Sequence, residues 1–440
     1  MPSPVPSPAP PSVPSPTRVR WMVLALLSLV SFMAYLLHFN MSVAGEPMMR
    51  ELGLSELQLG MILGAFAWGY GLFQLPGGLF GDRLGGRSSV TLIVVAWGIL
   101  NLLIGLVPGT TLLPVATLVG GLVVLRFLIG VTQAPIYPIT SGVVIIEWFL
   151  VRVWGIVNGF ITTAMTLGAA AVGPGIAWLA INLGWRMSFL VTAPLAFVTA
   201  ALWWWIYRDD PAAHRGVNAQ ERDLIRTGRQ TAPKAPRKGA WLEVLRHRDS
   251  LALAASYFCM NYVFYLFFNW FYYYLVEIRH LPAQAGGWFT GAQWMVGAAA
   301  ASLGGWLCDR FSVRFGARAG VRLTAAGGLL LCAPLLVVGS LVSHPVLAVA
   351  LLALAFGATQ LTDGAYWVAS MRIGGDQSAA VCGVMNTGGN IVGGFGSLMV
   401  PFLAGRFGWP AAISSGALFA IVGAGLWLLI RADRTLEAHD

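Results

Sequence analysis

Charged residues are scarce in this chain. Only 10% of its 440 residues are Asp, Glu, Lys or Arg, whereas 57% are hydrophobic, and the mean hydropathy is +0.72. An ordinary soluble domain has about 25% charged residues, so this chain lacks the polar surface that a soluble fold needs. Its apolar runs are long and continuous, which favours membrane-spanning helices over the short alternating strands of a β-barrel. The composition therefore predicts an all-α membrane protein embedded in a lipid bilayer.

Cysteine and acidic residues are also few. The cysteines are far apart and lie in or beside apolar runs, so neither a disulfide framework nor a metal site is predicted. They are Cys259, Cys308, Cys332 and Cys382.

The net charge is +9, but the basic residues are spread over the loops, which is typical of topology determinants and not of nucleic-acid binding. Since no catalytic triad, metal-ligand cluster or phosphate loop is visible, we expect neither an enzyme nor a cofactor.

One loop, at residues 77–87, contains both glycines and charged residues. This loop follows an apolar run and contains Asp82, Arg83 and Arg87 among several glycines. A partial copy ends another apolar run with Asp309 and Arg310, and Asp309 lies 227 residues after Asp82. The repetition predicts two membrane-embedded halves with matching loops.

Twelve apolar runs are about long enough to span a bilayer. They lie at about 21–44, 57–80, 89–107, 114–138, 153–181, 187–207, 250–276, 286–308, 321–341, 346–369, 379–403 and 409–431. They divide the chain into a disordered Pro- and Ser-rich cytoplasmic tail (1–17), an N-terminal six-helix half (18–207), a basic cytoplasmic linker (208–249), a C-terminal six-helix half (250–434) and a cytoplasmic tail (435–440). We interpret the linker as a solvated tether with one short surface helix near residues 218–229.

The distribution of Lys and Arg predicts the orientation. If the N-terminus is cytoplasmic, 22 basic residues lie on the cytoplasmic side and 4 on the outer side, and 12 against 4 remain when the linker is left out. An excess of basic residues marks the cytoplasmic side. We therefore expect a multi-pass protein of the cytoplasmic (inner) membrane with both termini in the cytoplasm.

The twelve spans, the duplication and the loop at residues 81–87, Gly-Asp-Arg-Leu-Gly-Gly-Arg, resemble the major facilitator superfamily. Residues 126–130 and 134–138 are similar to the fourth helix of its anion:cation symporter branch, which includes bacterial sugar-acid carriers. Residues 184–189 and 386–390 fit the same branch. The resemblance implies the major facilitator fold and a plasma-membrane symporter of organic anions.

The chain departs from this branch at two places. Leu37 and His38 stand where members carry an Asp-Arg pair, and Gln133 stands where they carry a Glu before Ala-Pro. Both missing carboxylates carry coupling protons in branch members. Their absence puts ordinary proton-driven symport in doubt and leaves a proton, sodium or no coupling ion as alternatives.

Arg126 lies well inside a predicted span. An arginine there normally faces a bundle interior or a hydrated cavity, because exposure to lipid is costly. Its planar guanidinium also suits bidentate binding of a carboxylate. We interpret Arg126 as the residue that binds an anionic substrate, with an internal salt bridge as the alternative.

Asp363 is a carboxylate deep in a span. A carboxyl group in apolar surroundings can bind and release a proton near neutral pH, so we predict that Asp363 replaces the missing coupling groups. A permanent pair with an arginine, or a position nearer the cytoplasm, is the alternative. His38 is assigned both to substrate binding and to coupling, against the alternative of a hydrogen-bonded core histidine.

Other polar and aromatic residues of the spans are predicted to shape the substrate site, because they can bond hydroxyl groups or pack against a carbon skeleton. They are Tyr70, Gln133, Asn158, Tyr265, Asn269, Trp367, Asn386 and Asn390. Single amides and hydroxyls also bond neighbouring helices, which is the alternative for each. The resemblance implies that Asp82, Arg83, Arg87, Asp309 and Arg310 form a gating motif, and simple loop anchoring is the alternative.

These predictions describe a monomeric secondary transporter. Its substrate is a small organic anion, a sugar acid or another carboxylate, and it works by alternating access around a site at the membrane midplane. One alternative is an exporter of amphipathic or cationic compounds with Asp363 as cation partner. Another is a membrane sensor that no longer transports.

Overall fold

The described part of the chain is built from helices joined by short turns. The computed structural model describes residues 15–140, 144–150, 153–227 and 244–433, without the side chains of residues 75–83, 154–156, 376, 378 and 379. No strand occurs among these residues. The predicted all-helical class is therefore confirmed.

The helices of the first half of the chain are α1 (Val19–Leu52), α2 (Glu56–Gly105), α3 (Val115–Gln133), α4 (Ile136–Ile139), α5 (Ile145–Trp148), α6 (Trp154–Leu183), α7 (Trp185–Ile206) and α8 (Ala219–Thr227). Those of the second half are α9 (Arg248–Tyr273), which continues as a π-helical turn (Tyr274–Ile278), α10 (Ala283–Phe315), α11 (Ala317–Leu341), α12 (Pro345–Gln360), α13 (Asp363–Gly374), α14 (Ser378–Phe407) and α15 (Trp409–Leu426).

Within the described residues, nine segments are long and apolar enough to cross a membrane. The chain is thus a multi-pass membrane protein. Neither α10 nor α14 belongs to these nine, but they have 33 and 30 residues. At about 1.5 Å per residue, each is longer than a hydrocarbon core of about 30 Å. The division into twelve spans stays a prediction.

Helix α2 covers two of the predicted spans and the loop between them. The backbone bends at Gly85, where φ is 76° and ψ is 166°. Glycine adopts positive φ without the steric cost that other residues incur. The predicted loop is therefore a sharp kink, and the two arms of α2 run on either side of it.

Two other predicted spans are interrupted. Helix α3 ends at Gln133, because Pro135 has no N–H group with which to continue the hydrogen-bond ladder. The span predicted at 346–369 is divided into α12 and α13 at Leu361 and Thr362. Thr362 Oγ1 donates to the carbonyl of Thr359 at 2.7 Å, a local bond that competes with the helical pattern. Asp363 is the first residue of α13.

The start of α1 is bound to α8. Glu221 of α8 is fully buried and accepts hydrogen bonds from the backbone N–H groups of Val19 (3.1 Å) and Arg20 (3.2 Å), and from Thr17 Oγ1 (2.6 Å). Free N–H groups and the helix dipole make a helix start a favourable place for a carboxylate. The predicted surface helix is thus present as α8 and is attached to the first half of the chain. Residues 1–14 of the predicted tail lie outside the described residues.

Candidate functional site

Two helix pairs bring the first half of the chain against the second. Helix α2 packs on α14, and α6 packs on α10. The backbones are close in both pairs: a Cβ atom on Gly64 would lie 3.0 Å from the carbonyl oxygen of Gly394, and one on Gly291 would lie 2.7 Å from that of Ala170. Small residues permit such close contacts between membrane helices.

Polar side chains join the two halves near the end of α1. Arg50 Nε lies 2.6 Å from Glu46 Oε1 on the same helix, and Arg50 also pairs with Glu277, which follows α9. Glu56, at the start of α2, accepts a hydrogen bond of 2.8 Å from the Tyr273 hydroxyl. We call these five residues the closed end. A cleft of about 470 Å³ beside it is lined by α1, α6, α9 and α10.

Arg126 faces the protein interior and not lipid, since its relative exposure is 1%. Its Nη1 donates to the carbonyl of His38 at 3.4 Å, and the guanidinium lies 5.1 Å from the ring centre of Phe66. Neither Nε nor Nη2 has an acceptor among the described residues, and none of those residues forms an ion pair with Arg126. The guanidinium therefore has two buried donors available for an anion.

Aromatic rings surround His38 and join the two halves beside Arg126. The ring of His38 lies 3.5 Å from that of Phe66 of α2 and 4.5 Å from that of Phe268 of α9, between centroids. Phe39 of α1 lies 3.7 Å from Phe268 and 4.7 Å from Trp294 of α10. We call Phe39, Phe66, Phe268 and Trp294 the aromatic layer. His38 is buried within it, and its Nε2 has no partner among the described residues.

Gln133 lies two turns of α3 beyond Arg126. It is buried, and its Nε2 donates to the carbonyl of Ala34 at 3.4 Å. Both predicted residues of α3 thus contact α1, which places them on one face of the helix.

Asp363 is the first residue of α13 and is partly exposed. The ring of Tyr257 on α9 lies 5.1 Å from that of Tyr366 and 6.3 Å from that of Trp367, both on α13, between centroids. No described residue forms an ion pair with Asp363, and the described residues contain no group of three His, Cys, Asp or Glu that could hold a metal ion. Tyr70 of α2 is partly exposed, and its ring is stacked on that of Phe66, with centroids 5.7 Å apart.

A series of hydrogen bonds crosses from α9 through α14 to α2. The Tyr265 hydroxyl donates to Asn390 Oδ1 at 2.9 Å, and Asn390 Nδ2 donates to Asn386 Oδ1 at 3.1 Å. Asn386 Nδ2 then donates to Gln74 Oε1 at 3.0 Å. We call these four side chains the amide series. It unites three predicted site residues with Gln74, and it links the two halves.

The remaining predicted site residues are more scattered. Asn269 is buried, and its Nδ2 donates to Ser397 Oγ at 2.7 Å, which ties α9 to α14. Trp367 is partly exposed one turn after Asp363. Asn158 is partly exposed near the start of α6.

The predicted gating motif is described only in part. The side chains of Asp82 and Arg83 lie outside the described part of the chain. Arg87 donates from Nε and Nη2 to the carbonyl of Trp204 at 3.0 and 2.8 Å, so it is anchored within the first half. Asp309 and Arg310 are exposed, and neither forms an ion pair with another described residue.

Sequence reasoning did not identify Tyr35, Gln74 or Tyr257, or the closed-end pair of Arg50 and Glu277. Tyr35, Gln74 and Tyr257 could have been found because each is a polar residue that interrupts an apolar run. The pair of Arg50 and Glu277 joins residues 227 positions apart, and only the folded chain brings them together.

Comparison with known proteins covers nearly the whole chain. Residues 27–396 match the profile of a family described as the Major Facilitator Superfamily. A protein of Cupriavidus necator named "Probable sulfoacetate transporter SauU" is 30% identical over 435 residues, which cover 96% of each chain. The "D-galactonate transporter" of Escherichia coli O6:H1 is 26% identical, with 95% of this chain and 97% of the relative covered. A Bacillus subtilis protein named "Probable galactarate/D-glucarate transporter GudP" is 27% identical, with 93% and 90% covered.

One similar solved structure is that of a bacterial homologue of the human lysosomal transporter Spinster, in an inward-facing and unoccupied conformation. The TM-score is 0.76 over 94% of this chain and 97% of that chain, and 17% of the aligned residues are identical. At this identity the likeness concerns the fold.

Proposed function

The chain belongs to the Major Facilitator Superfamily, and from this premise we propose that it is a secondary transporter that carries a small organic anion by alternating access. It is a transporter and not an enzyme. The relatives are named as transporters of sulfoacetate, D-galactonate and galactarate or D-glucarate, all of which are small organic anions. Sugar acids and short carboxylates or sulfonates are therefore the proposed substrates.

The guanidinium of Arg126 is the observation that carries this proposal. A buried cation with two unused N–H donors is unfavourable until an acceptor meets it. A carboxylate or sulfonate presents two oxygen atoms at a spacing that matches the guanidinium fork. The proposed substrate thus supplies the partner that the described residues do not.

The proposed architecture has twelve spans in two halves, at residues 18–207 and 250–434, joined by the cytoplasmic linker. Both termini lie in the cytoplasm and the protein acts as a monomer in the cytoplasmic membrane. In this orientation the closed end faces outward, because Arg50 then lies on the outer side. The site would exchange with the cytoplasm in this conformation, and opening of the closed end would expose it to the outer side.

The side chains take different parts in the proposed mechanism. Arg126 binds the anionic group, while His38, Gln133 and the aromatic layer enclose it and exclude water. Asp363, which has no cationic partner among the described residues, binds the coupling proton. We assign coupling to Asp363 and not to His38, because a protonated His38 would place a second cation beside Arg126.

Other predicted residues act around this centre. Tyr70, Tyr265, Asn386 and Asn390 present hydroxyl and amide groups to the rest of the substrate, with Trp367 and Asn158 nearer the cytoplasmic opening. Asn269 holds α9 against α14 through Ser397. The loop residues Asp82, Asp309 and Arg310 would close the inner side in the opposite conformation.

Uptake into proteoliposomes tests the proposal. Radiolabelled sulfoacetate and D-galactonate are offered to the wild-type protein and to Arg126→Ala and Arg126→Lys. We expect Arg126→Ala to abolish uptake, and Arg126→Lys, which keeps the charge but loses the fork, to lower kcat/KM roughly ten- to hundredfold. Arg406→Ala, at an exposed position on α14, should transport normally. Unchanged uptake by Arg126→Ala would overturn the anion assignment, and uptake of lipophilic cations instead would favour the exporter.

A further inference from the structure

The closed end places two carboxylates on one guanidinium. Glu46 Oε1 lies 2.6 Å from Nε of Arg50, and Glu277 Oε1 pairs with Nη2 of the same side chain. These two nitrogens form one edge of the guanidinium, where a single carboxylate ordinarily places both of its oxygens. One positive charge thus faces two negative charges, and these come from different halves of the chain.

Glu46 is the less hydrated of the two carboxylates. Its side chain is 6% exposed, whereas that of Glu277 is 22% exposed. Glu46 Oε1 is buried and has no hydrogen-bond partner among the described residues, so its contact with Arg50 is ionic only. A buried carboxylate oxygen without a donor is unfavourable, and a like charge nearby makes it more so.

Arg50 is the only described cation that pairs with either carboxylate. Arg279, the next cation after Glu277, is turned away from the closed end. Its Nη2 donates to two carbonyls of α11 at 3.1 and 3.3 Å, and its Nε donates to the Tyr274 hydroxyl at 2.8 Å. Helices α6 and α10 present apolar residues to the cleft, namely Ala180, Ile181 and Ala283.

The other titratable groups around the closed end do not balance the second carboxylate. Glu51 of α1 pairs with Arg186 of α7, and Glu56 of α2 accepts from the Tyr273 hydroxyl at 2.8 Å. Tyr272 lines the cleft, and a phenol is neutral near physiological pH. The group formed by Glu46, Arg50 and Glu277 therefore has one uncompensated negative charge when both carboxylates are ionised.

We propose that the closed end is a proton-binding site, in which Glu46 and Glu277 share one proton while they are together. The proton comes from the outer solution, forms a bond with an oxygen of one carboxylate, and donates a hydrogen bond to the other. When the closed end opens, Glu277 moves away with the second half, and Arg50 pairs with Glu46 alone. The separated carboxylates are then ionised, and the proton returns to the outer solution.

This proton regulates the conformation and is not transported, because it enters and leaves on the same side of the membrane. It differs in this respect from the coupling proton assigned to Asp363. The inference rests on the proposed function, which supplies the orientation of the closed end and its opening. Since the closed conformation binds one more proton than the open one, outer acidification should stabilise it.

Labelling of single introduced cysteines tests the inference in the absence of substrate. Ala283→Cys lies beside the closed end, and Thr111→Cys is exposed in the loop between α2 and α3. Each is labelled with a membrane-impermeant maleimide in proteoliposomes of the full chain, at a fixed internal pH and a varied external pH. The ratio of the two rates cancels the ionisation of the thiol, which affects both positions.

Three carboxylate variants are then compared. Glu46→Gln and Glu277→Gln each replace one carboxylate by a neutral amide, which supplies the hydrogen-bond donor that the shared proton provides. Glu51→Gln is the matched control, because Glu51 lines the same cleft but pairs with Arg186 within the first half. The thermal midpoint of each purified variant shows whether it is folded.

We expect the labelling ratio of the protein without these variants to fall about three- to tenfold from about pH 8 to about pH 6, since one additional proton changes the equilibrium at most about tenfold per pH unit. Glu46→Gln and Glu277→Gln should each keep the ratio low at every pH. Glu51→Gln should retain the full pH response.

A labelling ratio that does not change with pH would overturn the inference, as would a pH response that survives in Glu46→Gln or Glu277→Gln. Loss of the response in Glu51→Gln would also overturn it, because the general charge of the cleft would then be responsible. None of these results depends on a substrate. Absence of wild-type uptake of sulfoacetate and D-galactonate would instead overturn the proposed function.

Discussion

Arg50 of α1 pairs with Glu277, which follows α9, and so connects the two halves of the chain across the closed end. The pair is accessible to water, with side-chain exposures of 63% and 22%. Glu46 shares the same guanidinium but is only 6% exposed. Exposed ion pairs contribute little to stability, about 0–1 kcal/mol. Such a contact can form and break in every transport cycle.

Arg50→Ala should weaken the closed end. Loss of an interaction worth about 0.2–1 kcal/mol should increase the open population up to roughly fivefold. A cysteine introduced at Ala283, which lines the cleft beside the closed end, reports the change through its rate of labelling by a water-soluble maleimide. The rate should rise in Arg50→Ala.

Arg186→Ala is the matched control for this experiment. Arg186 of α7 pairs with Glu51 of α1, so both partners lie in the first half of the chain. Its loss should leave labelling at position 283 unchanged. Equal acceleration in both variants would show that general loosening, and not a contact between halves, governs access.

Gly173→Ala should separate α6 from α10. A Cβ atom at this position would overlap the carbonyl oxygen of Gly287, whereas one at Gly175, on the same helix, would meet nothing within 4 Å. Overpacking of this kind typically costs about 1–3 kcal/mol. We expect Gly173→Ala to lower uptake and the thermal midpoint.

Gly175→Ala controls for the change in helix propensity. The substitution should leave uptake intact and stabilise α6 by about 0.5–1 kcal/mol. If both variants behave alike in uptake and melting, the close approach of Gly173 to Gly287 has no part in the transport cycle.

Asp363→Asn should uncouple transport from the proton gradient. The amide has the shape of the carboxyl group but cannot bind and release a proton. Exchange of labelled for unlabelled substrate should persist, while accumulation driven by a pH gradient is lost. Asp223→Asn, an exposed position on α8, should accumulate substrate normally. If Asp363→Asn still accumulates substrate in a pH gradient, a residue other than Asp363 binds the coupling proton.

The lengths of the apolar runs and the positions of charged residues within them were the features of the sequence that predicted the helical fold and the burial of Arg126. Arg126 stands out because an arginine in an apolar run is costly unless it faces the interior, and the structure places it there with 1% exposure. The bend at Gly85 lies within the loop predicted at residues 77–87, where glycines and charges interrupt the apolar sequence. The division of the span predicted at 346–369 was not predicted, because Leu361 and Thr362 do not change the hydropathy of that run.

The polar contacts between helices could not be read from the sequence. Gln74 and Asn386 are 312 positions apart, and each alone could have bonded any neighbouring helix. Tyr265 and Asn269 are one helical turn apart and lie on one face of α9, since both bond α14. Spacing within a helix does not reveal which of its residues meets a substrate and which only a neighbouring helix.

The carboxylate of Glu221 has a consequence for dividing the protein into separately expressed fragments. Ile206 is the last residue of α7, so a cut after it would seem to follow the end of the first membrane unit. Such a cut would nevertheless separate α1 from Glu221, the acceptor of its first N–H groups. A cut after Thr227 would retain that acceptor. Coexpressed fragments separated after Thr227 should therefore reassemble more efficiently than fragments separated after Ile206, because the cut after Ile206 leaves the first N–H groups of α1 without their acceptor.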